Sequence, residues 1–103
     1  MKVTKFGERI KELREQQNIL QRQLAAALEM DTAMLSKIER GERKARKEHV
    51  VALAAVLNSD VNDLMIRWLA DQVYDILKDE NNAAAALKIA ESEIKYRTKN
   101  NKD

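Results

Sequence analysis

The segment 21–41, which reads QRQLAAALEMDTAMLSKIERG, constrains the fold of this chain more than any other. In its first half Leu24 and Leu28 lie four residues apart, and in its second half Leu35 and Ile38 lie three apart. Both spacings put the apolar side chains on one face of an α-helix, and a short break with acidic residues separates the two runs. The pattern predicts two short helices joined by a tight turn, with both apolar faces directed toward a core.

The second of these helices has clear start and stop signals. Asp31 can accept hydrogen bonds from the free backbone N–H groups of the first turn, and Gly41 can adopt the left-handed conformation that ends a helix. The outer face of the helix carries small or cationic side chains, namely Thr32, Ala33, Ser36, Lys37 and Arg40. Two short helices at a fixed angle, the second with such a face, form the helix-turn-helix geometry that fits a DNA major groove.

The same segment resembles the helix-turn-helix of the Cro/C1-type (XRE) family of phage and bacterial repressors. The residues that carry the resemblance are Gln21, Leu24, Ala25 and the run Leu35-Ser36-Lys37-Ile38-Glu39-Arg40-Gly41, followed by Leu53, Ala54 and Leu57. The resemblance covers about residues 4–66. It implies an all-α fold, namely a lambda-repressor-like DNA-binding domain of five helices, here followed by a C-terminal helical extension.

The chain departs from the family pattern in three places. Glu29 occupies the turn position where the family usually has glycine, so we expect a positive φ that costs energy and a slightly reshaped turn. Ala45 and Arg46 replace the proline and serine that commonly precede the fourth helix. The chain also continues about forty residues beyond the usual five-helix unit.

Helical periodicity divides the chain into three parts. Residues 1–66 form the predicted helix-turn-helix domain, residues 67–97 a helical extension that serves dimerisation, and residues 98–103 a frayed tail. Six helices are predicted, at about 4–16, 20–28, 32–40, 47–57, 61–79 and 83–96. Asp60 or Ser59 is expected to cap the fifth helix.

Composition argues against several classes of function. The chain has no cysteine and one histidine, His49, so neither a thiolate nor a histidine-based metal site is expected. No Ser-His-Asp or Cys-His set and no glycine-rich phosphate loop occurs, so we expect no enzyme, no cofactor and no small-molecule ligand. No apolar run approaches the roughly 20 residues that cross a bilayer, and the polar start is not a signal peptide. The sequence therefore predicts a cytoplasmic protein without a membrane partner.

Charge is unevenly distributed along the chain, although the net charge is only +2. Residues 1–58 hold twelve Lys and Arg against eight Asp and Glu, a net charge of +4, whereas residues 59–103 hold seven against nine, a net charge of −2. Within residues 37–47 six cations meet two acids. This distribution predicts a basic nucleic-acid face and a separate partner face, the alternative being a cationic loop that is merely solvated.

The outer face of the second short helix is the predicted base-reading surface. A helix lying in the major groove presents its N-terminal turns to base edges, so we expect base contacts from Thr32, Ala33, Ser36 and Lys37. Ala33 suits a thymine methyl group, Thr32 can donate or accept, and Lys37 can reach guanine O6 and N7. The alternative is an ordinary solvated helix face.

Phosphate contacts are expected from residues that flank this helix. Gln21 and Arg22 open the preceding helix, whose N-terminal N–H groups favour a phosphate. The candidates at the end of the second short helix and after it are Arg40, Arg43, Lys44, Arg46 and Lys47, of which we expect two or three to touch DNA. By the resemblance, Glu39 is structural and pairs with a basic residue of the first helix, either Arg14 or Arg9.

The fifth predicted helix carries a broad apolar face in which core and interface roles compete. Its expected dimer-interface residues are Met65, Trp68, Leu69, Val73 and Ile76. A four-helix DNA-binding unit is already closed, so an additional apolar helix needs something else to cover it, and a twofold partner is the usual solution. The alternative is that Trp68 and its neighbours belong to the core of their own chain.

Together these features predict a sequence-specific, double-stranded DNA-binding transcription regulator that binds a (pseudo)palindromic operator as a homodimer. Its compact size is similar to that of restriction–modification controller proteins, which tune expression of a restriction enzyme and its methyltransferase. An antitoxin or a phage-type repressor has the same features. A hypothesis of another class is a protein–protein adaptor that retains the helix-turn-helix fold and binds DNA weakly.

Overall fold

The computed structural model describes residues 5–100, which form six helices and, within that range, no strand. The helices are α1 (Phe6–Gln16), α2 (Gln21–Ala27), α3 (Thr32–Glu39), α4 (Lys47–Val56), α5 (Val61–Leu77) and α6 (Ala83–Asn100). The predicted all-α class is confirmed. Two compact units are present, an N-terminal unit that ends at Gln72 and a C-terminal unit that begins at Val73, so the boundary falls inside α5.

The core of the N-terminal unit is built from the apolar stripes of five helices. α3 packs against both α1 and α2. Leu24 of α2, Leu35 of α3 and Leu53 of α4 are completely buried. The buried apolar residues are Phe6, Ile10, Leu13, Leu24, Ala25, Leu35, Ile38, Ala45, Val50, Leu53, Ala54, Leu57 and Leu64. The apolar residues that recur at helical spacing in the sequence are therefore buried together in one core.

Four consecutive helices, α1 to α4, end in the same backbone motif. The residue after each C-cap has a positive φ, at Asn18 (57°), Glu29 (53°), Gly41 (78°) and Asn58 (52°). After α2, the Glu29 N–H donates to the Ala26 carbonyl at 3.1 Å and the Met30 N–H donates to the Ala25 carbonyl at 2.8 Å, which satisfies carbonyls at the helix end. The expected positive φ at Glu29 is confirmed, and glycine occupies only one of these four positions.

Polar side chains accept hydrogen bonds from backbone N–H groups at the helix starts. The Asp31 carboxylate accepts from the Ala33 N–H at 3.1 Å, as expected, and Asp60, rather than Ser59, accepts from the Asn62 N–H at 2.9 Å at the start of α5. At α4, where the family serine is missing, the Arg46 N–H donates to Nδ1 of His49 at 3.3 Å. His49 therefore replaces the missing start signal from within the helix.

The helix bounds differ from the sequence expectations mainly toward the C-terminus. α5 ends at Leu77, whereas α6 continues to Asn100 and so includes three residues that were expected to be frayed. In this last turn the Thr98 hydroxyl donates to the Ile94 carbonyl and the Asn100 amide donates to the Tyr96 carbonyl, each at 2.9 Å. Residue 4, the expected start of α1, and tail residues 101–103 lie outside the described residues.

In the C-terminal unit, α6 is exposed along nearly its whole length. No residue of this helix is buried, and Leu87, Ile89, Ile94 and Tyr96 are all between 49% and 72% exposed. Helical spacing places Leu87 and Ile94 on one side and Ile89 and Tyr96 on the opposite side. Across residues 5–100, no helix is both long enough and apolar enough to span a membrane.

Candidate nucleic-acid interface

The outward face of α3 carries all four predicted base-contact residues. Thr32, Ala33 and Lys37 are exposed and Ser36 is half-buried, while Leu35 and Ile38 on the opposite face are buried in the core. Thr32 and Ala33 lie in the first turn, and Ser36 and Lys37 lie in the second. The structure thus brings these four side chains onto one accessible surface.

A buried ion pair fixes α3 against α1. Nε of Arg14 donates to Oε2 of Glu39 at 2.8 Å and Nη2 of Arg14 donates to Oε1 at 3.0 Å, with the two side chains only 10% and 2% exposed. The hydrogen bonds with Glu39 raise the pKa of Arg14 above its usual value, against the opposing effect of burial. The expected partner of Glu39 is therefore Arg14 rather than Arg9, and the bidentate geometry fixes the orientation of α3.

The same carboxylate also binds α2. Nε2 of Gln21 donates to Oε1 of Glu39 at 2.9 Å, while Nη1 of Arg14 donates to the Ile19 carbonyl at 2.9 Å. Gln21 is also an expected DNA-backbone contact, and in the structure its amide nitrogen holds the start of α2 against the end of α3. Arg22, the neighbouring candidate, is exposed.

Arg40, at the C-terminal end of α3, is hydrogen-bonded to two side chains of its own chain, Glu42 and Ser36. Its Nε and Nη2 donate to the two carboxylate oxygens of Glu42 at 2.8 Å and 3.2 Å, and its Nη1 donates to Oγ of Ser36 at 2.5 Å. The hydrogen bond to Arg40 lowers the pKa of Glu42, and the same bond raises the pKa of Arg40. Sequence reasoning missed Glu42, because its proximity to Arg40 depends on the chain reversal at Gly41.

Three of the remaining phosphate candidates lie on the basic loop, defined here as residues 41–46, and Lys47 is exposed at the start of α4. Arg43, Lys44 and Arg46 are all exposed, and Nη1 of Arg46 lies 3.9 Å from Oε1 of Glu48. Nζ of Lys44 lies 5.7 Å from the centroid of the Trp68 ring, within the range of a cation–π contact. The structure therefore places three cations on one solvent-facing loop directly after α3.

Trp68 holds this loop. The indole Nε1–H donates to the Ala45 carbonyl at 2.8 Å, and Ala45 is only 2% exposed. Trp68 and Met65 are partly buried against the core of the N-terminal unit. These two expected interface residues thus pack within their own chain, which was the alternative for this helix.

The other three expected interface residues are exposed on α5. Leu69 is 51%, Val73 is 42% and Ile76 is 73% exposed, and Ile66, which the sequence reading did not include, is 65% exposed. Spacings of three and four residues place these four side chains on one face of the helix. We call Ile66, Leu69, Val73 and Ile76 the α5 stripe.

No set of three His, Cys, Asp or Glu side chains in residues 5–100 is arranged to hold a metal ion. The geometry that the described residues do provide is a rigid outward helix face beside a cationic loop. Such a surface is suited to the major groove and to the phosphates that flank it.

Comparisons with known proteins agree with this geometry. The family model described as Helix-turn-helix matches residues 10–64. Among solved structures, the restriction–modification controller protein C.AhdI from Aeromonas hydrophila matches with a TM-score of 0.55 and 31% sequence identity, over 59% of this chain and 92% of the controller chain. No curated protein sequence matches the chain.

Proposed function

Because the chain belongs to the helix-turn-helix family, and is therefore a DNA-binding transcription regulator, we propose that it recognises a (pseudo)palindromic operator as a homodimer. In this proposal each protomer inserts α3 into a major groove, and the two recognition helices lie about 34 Å apart on one side of the duplex. The observation that carries the proposal is the outward face of α3, held by the buried pair between Arg14 and Glu39.

Base recognition is assigned to the exposed side chains of this face. Thr32 and Ala33 sit in the first turn of α3, which approaches the base edges most closely in this docking mode. Lys37 suits the O6 and N7 acceptors of guanine, and Ser36 suits an acceptor on either base. Rigidity supports specificity, because a helix that cannot rotate offers one pattern of donors and methyl groups.

Phosphate contacts are assigned to the cations on the basic loop and to the start of α2. The basic loop after α3 exposes Arg43, Lys44 and Arg46, and the first turn of α2 exposes Arg22. Such contacts fix the register of the protein on the duplex without reading sequence. Gln21 is left with a supporting role in this proposal, since its amide nitrogen is bound to Glu39.

Dimerisation is assigned to the α5 stripe. Four large apolar side chains on one helix face are costly to leave in water, and each exposed Å² contributes about 25 cal/mol when it is covered. An equivalent stripe from a second copy, related by a twofold axis, covers both at once. Met65 and Trp68 support this interface from behind, because they anchor α5 to the core of the N-terminal unit.

Similarity to C.AhdI favours a restriction–modification controller over an antitoxin or a phage-type repressor. About two-fifths of this chain lies outside that match. The genes next to the operator separate the three possibilities, since a controller operator lies beside genes for a restriction enzyme and its methyltransferase.

The test is selection of binding sites from a random duplex pool, followed by affinity measurements at several salt concentrations. We expect a symmetric selected sequence with half-sites about 10–10.5 bp apart and an affinity that falls steeply with salt. Weak binding without a selected sequence would contradict the proposal and favour the adaptor hypothesis.

A further inference from the structure

We propose that Glu42 is a specificity-determining residue, which holds Arg40 against Ser36 and so keeps this guanidinium from binding phosphate indiscriminately. The inference rests on the proposed DNA-binding function and deepens it. It concerns a side chain that does not bind phosphate itself, since a carboxylate and a phosphate repel each other.

The geometry of the pair is the first step. Glu42 accepts two parallel hydrogen bonds from Arg40, at 2.8 Å and 3.2 Å, although the two side chains are 56% and 54% exposed. A bidentate arrangement is more directional than a single contact, such as the 3.9 Å approach of Arg46 on the basic loop to Glu48 on α4. Arg40 is therefore held in one orientation at the end of α3.

That orientation determines how Ser36 is presented. Nη1 of Arg40 donates to Oγ of Ser36, so one lone pair of the hydroxyl is occupied and the O–H is free to point away from Arg40. Ser36 is one of the four residues on the outward face of α3. The contact with Arg40 thus favours Ser36 as a hydrogen-bond donor to an acceptor on a base edge.

Arg40 also has less capacity left for phosphate than a free arginine. Its guanidinium has five N–H groups, of which Glu42 and Ser36 use three. The Glu42 carboxylate is charged at neutral pH, as an ordinary glutamate is, and it offsets the charge of Arg40; the hydrogen bond from Arg40 lowers the pKa of Glu42 further.

Glu42 affects the affinity for a non-cognate duplex and the affinity for the operator differently. Binding to a non-cognate duplex depends almost entirely on phosphate contacts, so a neutralised Arg40 weakens it. Binding to the operator also uses base contacts, including that of Ser36. Arg40 supports this contact while it remains bound to Glu42 and Ser36. Glu42 therefore lowers non-cognate affinity more than operator affinity, which increases the ratio of the two.

The experiment compares the native chain with Glu42→Gln on the selected duplex and on a scrambled duplex of equal length. We expect Arg40 to gain a phosphate in the variant, so that non-cognate affinity rises about fivefold near 0.15 M salt and the salt slope steepens by about 0.9. Operator affinity should rise by less, and the specificity ratio should fall severalfold.

Two further variants isolate the cause. Glu48→Gln makes the same charge change beside the basic loop, but it removes no contact that involves Ser36. Operator affinity and non-cognate affinity should therefore rise equally, and the specificity ratio should stay constant. Adding Arg40→Ala to Glu42→Gln should abolish the gain in non-cognate affinity. Unfolding curves control for stability, which we expect to be unaffected at this exposed position.

Equal gains on both duplexes, or an unchanged salt slope in Glu42→Gln, would overturn the inference while leaving the proposed function intact. Failure of the native chain to bind duplex DNA would overturn the proposed function as well. The measurement on the native chain alone therefore distinguishes the two failures.

Discussion

Individual residues at the helix ends set much of the local backbone geometry of this chain. Glu29 is the clearest energetic example, because its φ of 53° lies in a region that a residue with a Cβ adopts at a cost. The surrounding Schellman-type bonds maintain this conformation, which links the two helices of the helix-turn-helix.

We therefore expect Glu29→Gly to raise the free energy of unfolding by up to about 1 kcal/mol, since glycine adopts positive φ freely. Glu29→Ala, which keeps a Cβ, should give no comparable gain, and Asn58→Gly should give a smaller one because asparagine tolerates this region. Urea denaturation measures all three variants. A Glu29→Gly protein no more stable than the native chain would contradict this account.

Lys37 provides the test of base reading at the scale of one side chain. It is exposed in the second turn of α3, so Lys37→Ala should leave the fold intact. A lost base contact should cost about 1–3 kcal/mol of operator binding and relax the preference at one base pair. Equal losses on operator and scrambled duplexes would instead identify Lys37 as a phosphate contact.

Among the helices, α3 was predictable from the sequence and α5 was only partly so. Leu35 and Ile38 define one buried face of α3, and Asp31 and Gly41 mark its ends. α5 carries apolar residues on two faces, and hydrophobic periodicity alone does not show which face packs against the core of its own chain. In the structure Trp68 lies on the core side, and the α5 stripe lies on the exposed side.

Glu42 and His49 show a different limit of sequence reasoning. The contact of Glu42 with Arg40 requires the positive φ at Gly41, and the role of His49 at the start of α4 requires a side chain that folds back on the backbone. Neither depends on hydrophobic spacing. The first contact follows from a chain reversal and the second from a side chain at a helix start, and hydrophobic periodicity specifies neither.

Trp68 connects α5 to the basic loop, and Trp68→Phe tests this connection. Phenylalanine keeps an aromatic ring but cannot donate to the Ala45 carbonyl, so the loop loses its hydrogen bond to α5. We expect a loss of stability of about 1 kcal/mol and weaker binding to operator and scrambled duplexes alike, with unchanged self-association.

Unfolding curves, duplex titrations and sedimentation measure these three quantities for Trp68→Phe. Tyr96→Phe is the matched control, because it also removes a polar group from an aromatic side chain, on the exposed α6. A Trp68→Phe protein that binds DNA normally but dissociates into monomers would place Trp68 in the dimer interface instead.

At the scale of the whole molecule, the net positive charge lies in the first half of the chain and most of the exposed large apolar side chains of the described residues lie in the second half. Residues 1–58 carry a net charge of +4 and include the basic loop, whereas residues 59–103 carry −2 and include the exposed apolar faces of α5 and α6. In the proposed dimer, operator occupancy depends on protein concentration, because dimerisation and DNA binding are coupled by mass action.

Sedimentation equilibrium at micromolar concentration, with and without the selected operator duplex, tests the central claim of a dimeric operator-binding regulator most directly. The account predicts twice the chain mass of 11.8 kDa in solution and two chains per duplex. Leu69→Glu should be a folded monomer with a steep loss of operator affinity, whereas Val51→Glu, at a similarly exposed apolar position on α4, should remain dimeric. A native chain that is monomeric on its operator, or a Leu69→Glu protein that remains dimeric, would contradict the account.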